Sequence, residues 1–131
     1  MKWSLLYQNV RGLRTKANTC FNNVAVSDYD IISLSETWLN SSFSSSDYFP
    51  PAYTVFRKDR NYESMSANFG GGVLIAVKKH IQAIRRFDLE SSGESVWVEI
   101  TCADSNLLIG TFYFPSSLDV AGFFGTNEPA L

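Results

Sequence analysis

A single histidine, His80, stands among the 131 residues. Water attack on an ester usually wants a base such as imidazole. His80 follows Lys78 and Lys79 at the end of an apolar run, with no carboxylate placed to orient it, and reads as an exposed loop residue. Cysteine is almost as scarce. Cys20 and Cys102 lie far apart in apolar patterns, which excludes a disulfide framework and a zinc knuckle and suits reduced thiols in an intracellular protein. No apolar run approaches the length of a membrane span, and the N-terminus lacks a secretory apolar core. The expected location is therefore intracellular, nuclear or cytoplasmic, and not secreted. Charge of one sign is also missing. The net charge of −2 gives no bulk footprint for nucleic acid, although Arg11, Arg14 and Lys16, and then Arg57, Lys58 and Arg60, form two local basic clusters. No repeat and no linker-like shift in composition divides the chain, so residues 1–131 are read as one domain.

What is present is a layered α/β pattern. Residues 3–8 are β-rich, and Gly12 marks a turn after them. From Thr15 to about Ser27 the apolar positions Ala17, Cys20, Phe21, Val24 and Ala25 recur at helical spacing. A short apolar run, residues 31–35, follows. Strand, helix, strand in this order predicts a parallel pair. Residues 39–52 are Ser-rich, end in Phe49-Pro50-Pro51, and read as a long flexible surface loop, a kind that is often functional. Strands are expected over residues 53–56 and 73–77, a short edge strand over 84–87, and a turn over 89–94. Residues 57–69 read as a polar connection, and Gly70-Gly71-Gly72 as a bend into the next strand, since no Lys-Ser/Thr follows to make a phosphate loop. Residues 95–102 alternate, with Val96, Val98 and Ile100 on one face and Trp97, Glu99 and Thr101 on the other. A turn over 103–106 and a strand over 107–114 complete an antiparallel hairpin. Asp119 could cap a helix over residues 120–131.

One stretch stands out. In DIISLSETWL, residues 30–39, a buried-looking strand stops at Glu36. A carboxylate there is costly unless a cation, an Arg or Lys, or backbone N–H groups stabilise it. Asn9 follows the first strand and Tyr113 sits near the end of the last. If these strands run the same way in one sheet, all three meet outside its carboxyl edge, where ligands of α/β proteins gather. Glu36 could then hold a hard cation such as Mg²⁺, Asn9 a metal-bound water or phosphate oxygen, and Tyr113 could donate its phenol proton to a developing oxyanion. That set fits metal-assisted phosphodiester hydrolysis. Each residue also has an ordinary reading: Asn as a turn residue, Glu as an ion-pair partner, Tyr as packing.

Five blocks in one order, YQNVRGLRTK (7–16), DIISLSETWLN (30–40), FRKDR (56–60), GGGVLIAVKK (70–79) and IGTFYFPSS (109–117), resemble the endonuclease domain of non-LTR retrotransposon polyproteins. That domain is a relative of the abasic-site endonucleases in the endonuclease/exonuclease/phosphatase superfamily. The resemblance implies a four-layer α/β sandwich with mixed β-sheets and flanking helices. It implies that Glu36 is the main Mg²⁺ ligand, that Asn9 belongs to the metal and phosphate site, and that Tyr113 contacts the scissile phosphate. The implied reaction is Mg²⁺-dependent nicking of DNA, which in the family primes reverse transcription. A phosphatase of the same superfamily is disfavoured by the SETWL block.

The departure from the family pattern matters equally. The family's Asp-x-Asn motif and its C-terminal Asp-His pair, which supply the catalytic Asp and the base, do not occur after Phe114. The chain is thus expected to be a partial sandwich, the N-terminal half of such a domain, and inactive alone. The alternative is a non-catalytic nucleic-acid-binding remnant that contacts DNA through Arg11, Arg14, Arg57, Lys58 and Arg60.

Overall fold

The computed structural model describes residues 2–62, 70–90 and 93–113. Strand β1 (Leu5–Asn9) leads through helix α1 (Ala17–Ser27) to β2 (Ile31–Ser35). The pair is parallel, in register from Leu5 opposite Ile31 to Asn9 opposite Ser35. Strands β3 (Tyr53–Lys58) and β4 (Val73–Lys78) complete a mixed sheet of order β1-β2-β4-β3, in which β4 runs antiparallel to both its neighbours. Strands β5 (Ala83–Arg85), β6 (Ser95–Ile100) and β7 (Leu107–Phe112) form a second, antiparallel sheet.

Alternation sorts the side chains between layers. In β4, Val73, Ile75 and Val77 face the second sheet, where they pack with Ile31, Val96, Val98 and Ile100. Leu74 and Ala76 face the other way and pack with Ile32, Leu34, Leu13 and Val24 beneath α1. Strand β2 is buried along its whole length, which explains its near-continuous apolar run. Each of these large side chains contributes roughly 1.5–3 kcal/mol by burial. Helix α1 ends where Asp28 turns left-handed at φ 56° and its N–H bonds back to the Val24 carbonyl. Helix, sheet and sheet make three of the four expected layers among the described residues.

Three expectations change. The stretch 39–52 is a packed wall, because Leu39, Tyr48 and Phe49 are buried against the α1 side of the sheet. A short 3₁₀ turn, Ser45–Asp47, interrupts it, and Ser44 caps that turn through the Ser46 N–H. The Arg57 guanidinium binds the same stretch from inside, donating to the carbonyls of Phe43 (2.7 Å) and Asn40 (3.1 Å). Composition alone misled here, since Ser-rich segments are fixed when aromatic anchors and an internal Arg hold them. The edge strand is shorter than expected, and Phe87–Leu89 is a 3₁₀ turn. Third, the one-sheet condition for bringing Tyr113 to Asn9 and Glu36 is not met: β7 pairs with β6, as the expected hairpin, in the second sheet. The helix expected over 120–131 and most of the connection after residue 62 lie outside the described residues.

Candidate active site

Glu36 sits one residue beyond β2 in a strained turn. Its φ is 56° and that of Trp38 is 61°, and such left-handed geometry costs a non-glycine residue about 1–2 kcal/mol. Neighbours on both sides supply the compensation. From the segment after β1, Val10 N donates to Ser35 O (3.0 Å), Gly12 N to Glu36 O (2.7 Å) and Leu13 N to Thr37 O (2.9 Å). From the other side, the carbonyl of Gly72 accepts from Thr37 N (3.2 Å) and that of Gly71 from Trp38 N (2.9 Å). The close approach explains the glycines. A Cβ on Gly12 would lie 2.5 Å from the Trp38 ring, and one on Gly72 would lie 2.5 Å from Thr37 Oγ1. The triple glycine is therefore more than a bend into β4: it is one wall of the Glu36 turn.

Tyr113 reaches the turn from the second sheet. A buried polar bond joins the sheets, Ser33 to Thr111, and Tyr7 bonds Ser35 (2.7 Å) within the first sheet. The Tyr113 phenol lies beside the Glu36 carboxylate, and burial first and the hydrogen-bonding and charge of Glu36 second raise its pKa above the ordinary tyrosine value. Tyr113 and Glu36 thus meet across the interface of two sheets and not along one edge, as the sequence pattern had suggested. Asn9 ends β1 with Ser35 as its register partner. It is exposed and shares with Glu36 the carboxyl end of the parallel pair.

The five basic positions divide. Arg11 is exposed. Arg57 is held by Asp59 (2.7 Å) and the loop carbonyls. Arg14 donates to the Trp38 carbonyl, and its guanidinium lies 5.7 Å from the Phe43 ring centre and 5.2 Å from that of Tyr62. Arg60 pairs with Glu94 at 3.0 Å. Lys58 is half-buried at the end of β3.

Glu94 lies in the stretch 89–94, whose sequence reads as a turn, and the structure gives it three hydrogen bonds at the site. One carboxylate oxygen accepts from Gly72 N (2.6 Å), the other from Arg60 Nε (3.0 Å), and its carbonyl accepts from Tyr113 N (3.1 Å). The available signal was an acid just before a half-buried strand, with an Arg cluster elsewhere to pair it.

Among the described residues no three His, Cys, Asp or Glu side chains gather as a metal cluster. Mg²⁺ does not require one, since it keeps several waters and takes one or two carboxylates. The half-exposed Glu36 carboxylate, with the Asn9 amide at the same strand edge, suits such a cation as a minimal oxygen donor set.

This arrangement, a helix-backed mixed sheet packed face to face on an antiparallel one, is the fold of the endonuclease/exonuclease/phosphatase type. Among solved structures, the chain is similar to the endonuclease domain of TRAS1, a telomere-specific non-LTR retrotransposon. The identity is 18% and the TM-score 0.64, over 92% of this chain and 50% of that one. It is similar also to the AP endonuclease LMAP from Leishmania major, at 16% identity and TM-score 0.64 over 93% of this chain and 43% of that one. An AP endonuclease from Archaeoglobus fulgidus follows, at 16% and 0.54 over 82% and 40%. At these identities the likeness is one of fold, and the chain spans half or less of each structure's length. No protein-family model and no curated protein sequence matches the chain. No helix among the described residues is long and apolar enough to cross a membrane.

Proposed function

We propose that this chain carries the metal- and phosphate-binding half of a Mg²⁺-dependent nuclease site that acts on DNA. The observation that supports this most is the pairing of Glu36, on a strained turn at a strand end, with the Tyr113 phenol from the opposite sheet. In this reading Glu36 holds the cation and Asn9 orients a water or a phosphate oxygen. Mg²⁺ supplies a Lewis acid that draws charge from the phosphoryl group. Tyr113 is protonated through the neutral range, as an ordinary tyrosine already is, so its one O–H can turn from Glu36 to a non-bridging phosphate oxygen. The solved structures named above are a retrotransposon endonuclease domain and AP endonucleases, which favours DNA as the substrate class.

The 131 residues contain no Asp-x-Asn motif after Tyr113 and no histidine besides His80, which lies exposed after β4. By itself the chain is expected to bind a cation and a phosphodiester and not to cleave it. The test is DNA affinity by fluorescence anisotropy at low salt, with and without Mg²⁺. Wild type should bind more tightly with Mg²⁺, and Glu36→Gln should lose that increment. Salt-sensitive binding indifferent to both Mg²⁺ and Glu36 would favour the non-catalytic remnant instead. Plasmid nicking by the chain alone, abolished by Glu36→Ala, would overturn the expected inactivity.

A further inference from the structure

The two partners at the site come from different sheets, and one residue touches the backbone on both sides. Glu94 grips the Gly72 N–H through Oε1, at 2.6 Å. The carbonyls of Gly71 and Gly72 in turn hold the N–H groups of Trp38 and Thr37, the two residues after Glu36. Through its own carbonyl Glu94 also holds the Tyr113 N–H at 3.1 Å. Arg60 completes the link: its Nε donates to Glu94 Oε2 at 3.0 Å, and its guanidinium lies 6.0 Å from the centre of the Tyr113 ring.

We propose that Glu94 is a positioning residue for this site, clamping the turn that carries Glu36 to the strand end that carries Tyr113, with Arg60 as its counter-ion. The inference rests on the reading of Glu36 and Tyr113 as the cation- and phosphate-binding pair. Two blander roles fit less well. A surface ion pair would be solvated, whereas the side chains of Arg60 and Glu94 are only 10% and 16% exposed. A further metal ligand would have to share Glu94 with the Arg60 guanidinium at 3.0 Å, a cation that opposes a second cation at the same carboxylate. Space is tight as well, since a Cβ on Gly71 would collide with both members of the pair. The glycine run, the ion pair and the Glu36 turn thus depend on one another.

Site-resolved amide hydrogen exchange of the full chain tests this. In wild type the Gly72 and Tyr113 amides must both be protected, and free exchange at either overturns the proposal whatever any variant does. In Glu94→Ala, exchange at Gly72, which loses its carboxylate acceptor, should rise by at least about tenfold, the scale of one lost charge-assisted hydrogen bond, and Thr37 and Trp38 should rise with it, while Tyr113 keeps the backbone carbonyl of residue 94 as its acceptor. Ile32 and Ile75, in the centre of the sheet, should keep their protection. In Glu94→Gln, which retains an oxygen for Gly72 N–H, Thr37 and Trp38 should recover most of theirs. A uniform rise in exchange, or none, would mean a merely stabilising role and overturn the clamp. A Mn²⁺ titration of the same samples separates the two claims. If wild type shows no cation near Glu36, the proposed function fails, while the exchange pattern still decides the clamp.

Discussion

Substitution within the triple glycine tests how the Glu36 turn is built, because Gly70 and Gly72 share a backbone conformation and meet different neighbours. Gly70 and Gly72 both have φ near 90°, at 93° and 88°. Alanine at either therefore meets the same left-handed penalty of about 1–2 kcal/mol. The space around them is not the same. A Cβ at Gly70 would come within 3.0 Å of the Arg60 Nη1 atom, the far end of a flexible side chain. A Cβ at Gly72 would come within 2.5 Å of Thr37 Oγ1 and 3.5 Å of the Trp38 N atom, and Thr37 is only 1% exposed. Forcing a methyl into such a packed site adds about 1–3 kcal/mol. For a chain of this size that increment lowers the melting temperature by roughly 4–12 °C. Gly72→Ala should therefore melt that far below Gly70→Ala in urea and thermal unfolding followed by tryptophan fluorescence. Removing the obstacle should help, so Gly72→Ala with Thr37→Ala should lose less stability than the sum of the single changes. Equal stability of Gly70→Ala and Gly72→Ala, with no coupling to Thr37, would refute the close approach of the glycine run to the turn.

Arg57→Lys should cost about 1–3 kcal/mol in urea unfolding, because an ammonium cannot hold Asp59 and the loop carbonyls together and leaves half-buried acceptors without their donor. Arg11→Ala, at an exposed position, should leave stability unchanged while weakening DNA binding and reducing its salt slope by about 1, as read by anisotropy across a salt series. Glu90 gives a pH signature. Its side chain is 6% exposed; burial alone would raise its pKa, but hydrogen bonds from Arg85 and the Trp97 N–H prevail, and the pKa is lowered. A lowered folded pKa contributes stability that is fully present above the unfolded value and is lost as pH falls through the folded one. Glu90→Gln should therefore be less stable than wild type at neutral pH and converge on it below the ordinary Glu value of about 4.3, as measured by denaturant midpoints at each pH.

Periodicity carried most of the architecture. The five apolar and small residues of β2, the alternation of β6 and the helical spacing before Ser27 each reflect burial, which leaves a local mark in sequence. Sheet membership leaves no such mark. Nothing in residues 107–112 shows whether β7 joins β2 or faces it, so the meeting of Tyr113 with Glu36 was expected by the wrong route. Long-range polar pairing is hidden for the same reason. Glu94 and Arg60 are 34 positions apart, and neither residue alone looks unlike a surface charge. Arg14, Arg57 and Arg60 read as a phosphate-binding footprint, yet each guanidinium is engaged by the fold itself. A basic cluster in sequence records charge and says nothing about where the guanidinium points.

The central claim is that Glu36 is the cation ligand of a half-site completed by Asn9 and Tyr113. Paramagnetic line broadening by Mn²⁺, titrated into the isotope-labelled chain, tests it most directly. Broadening should begin at the signals of Asn9, Glu36, Thr37 and Tyr113 and disappear in Glu36→Gln while the rest of the spectrum is unchanged. Broadening centred elsewhere, or persisting undiminished in Glu36→Gln, would contradict it.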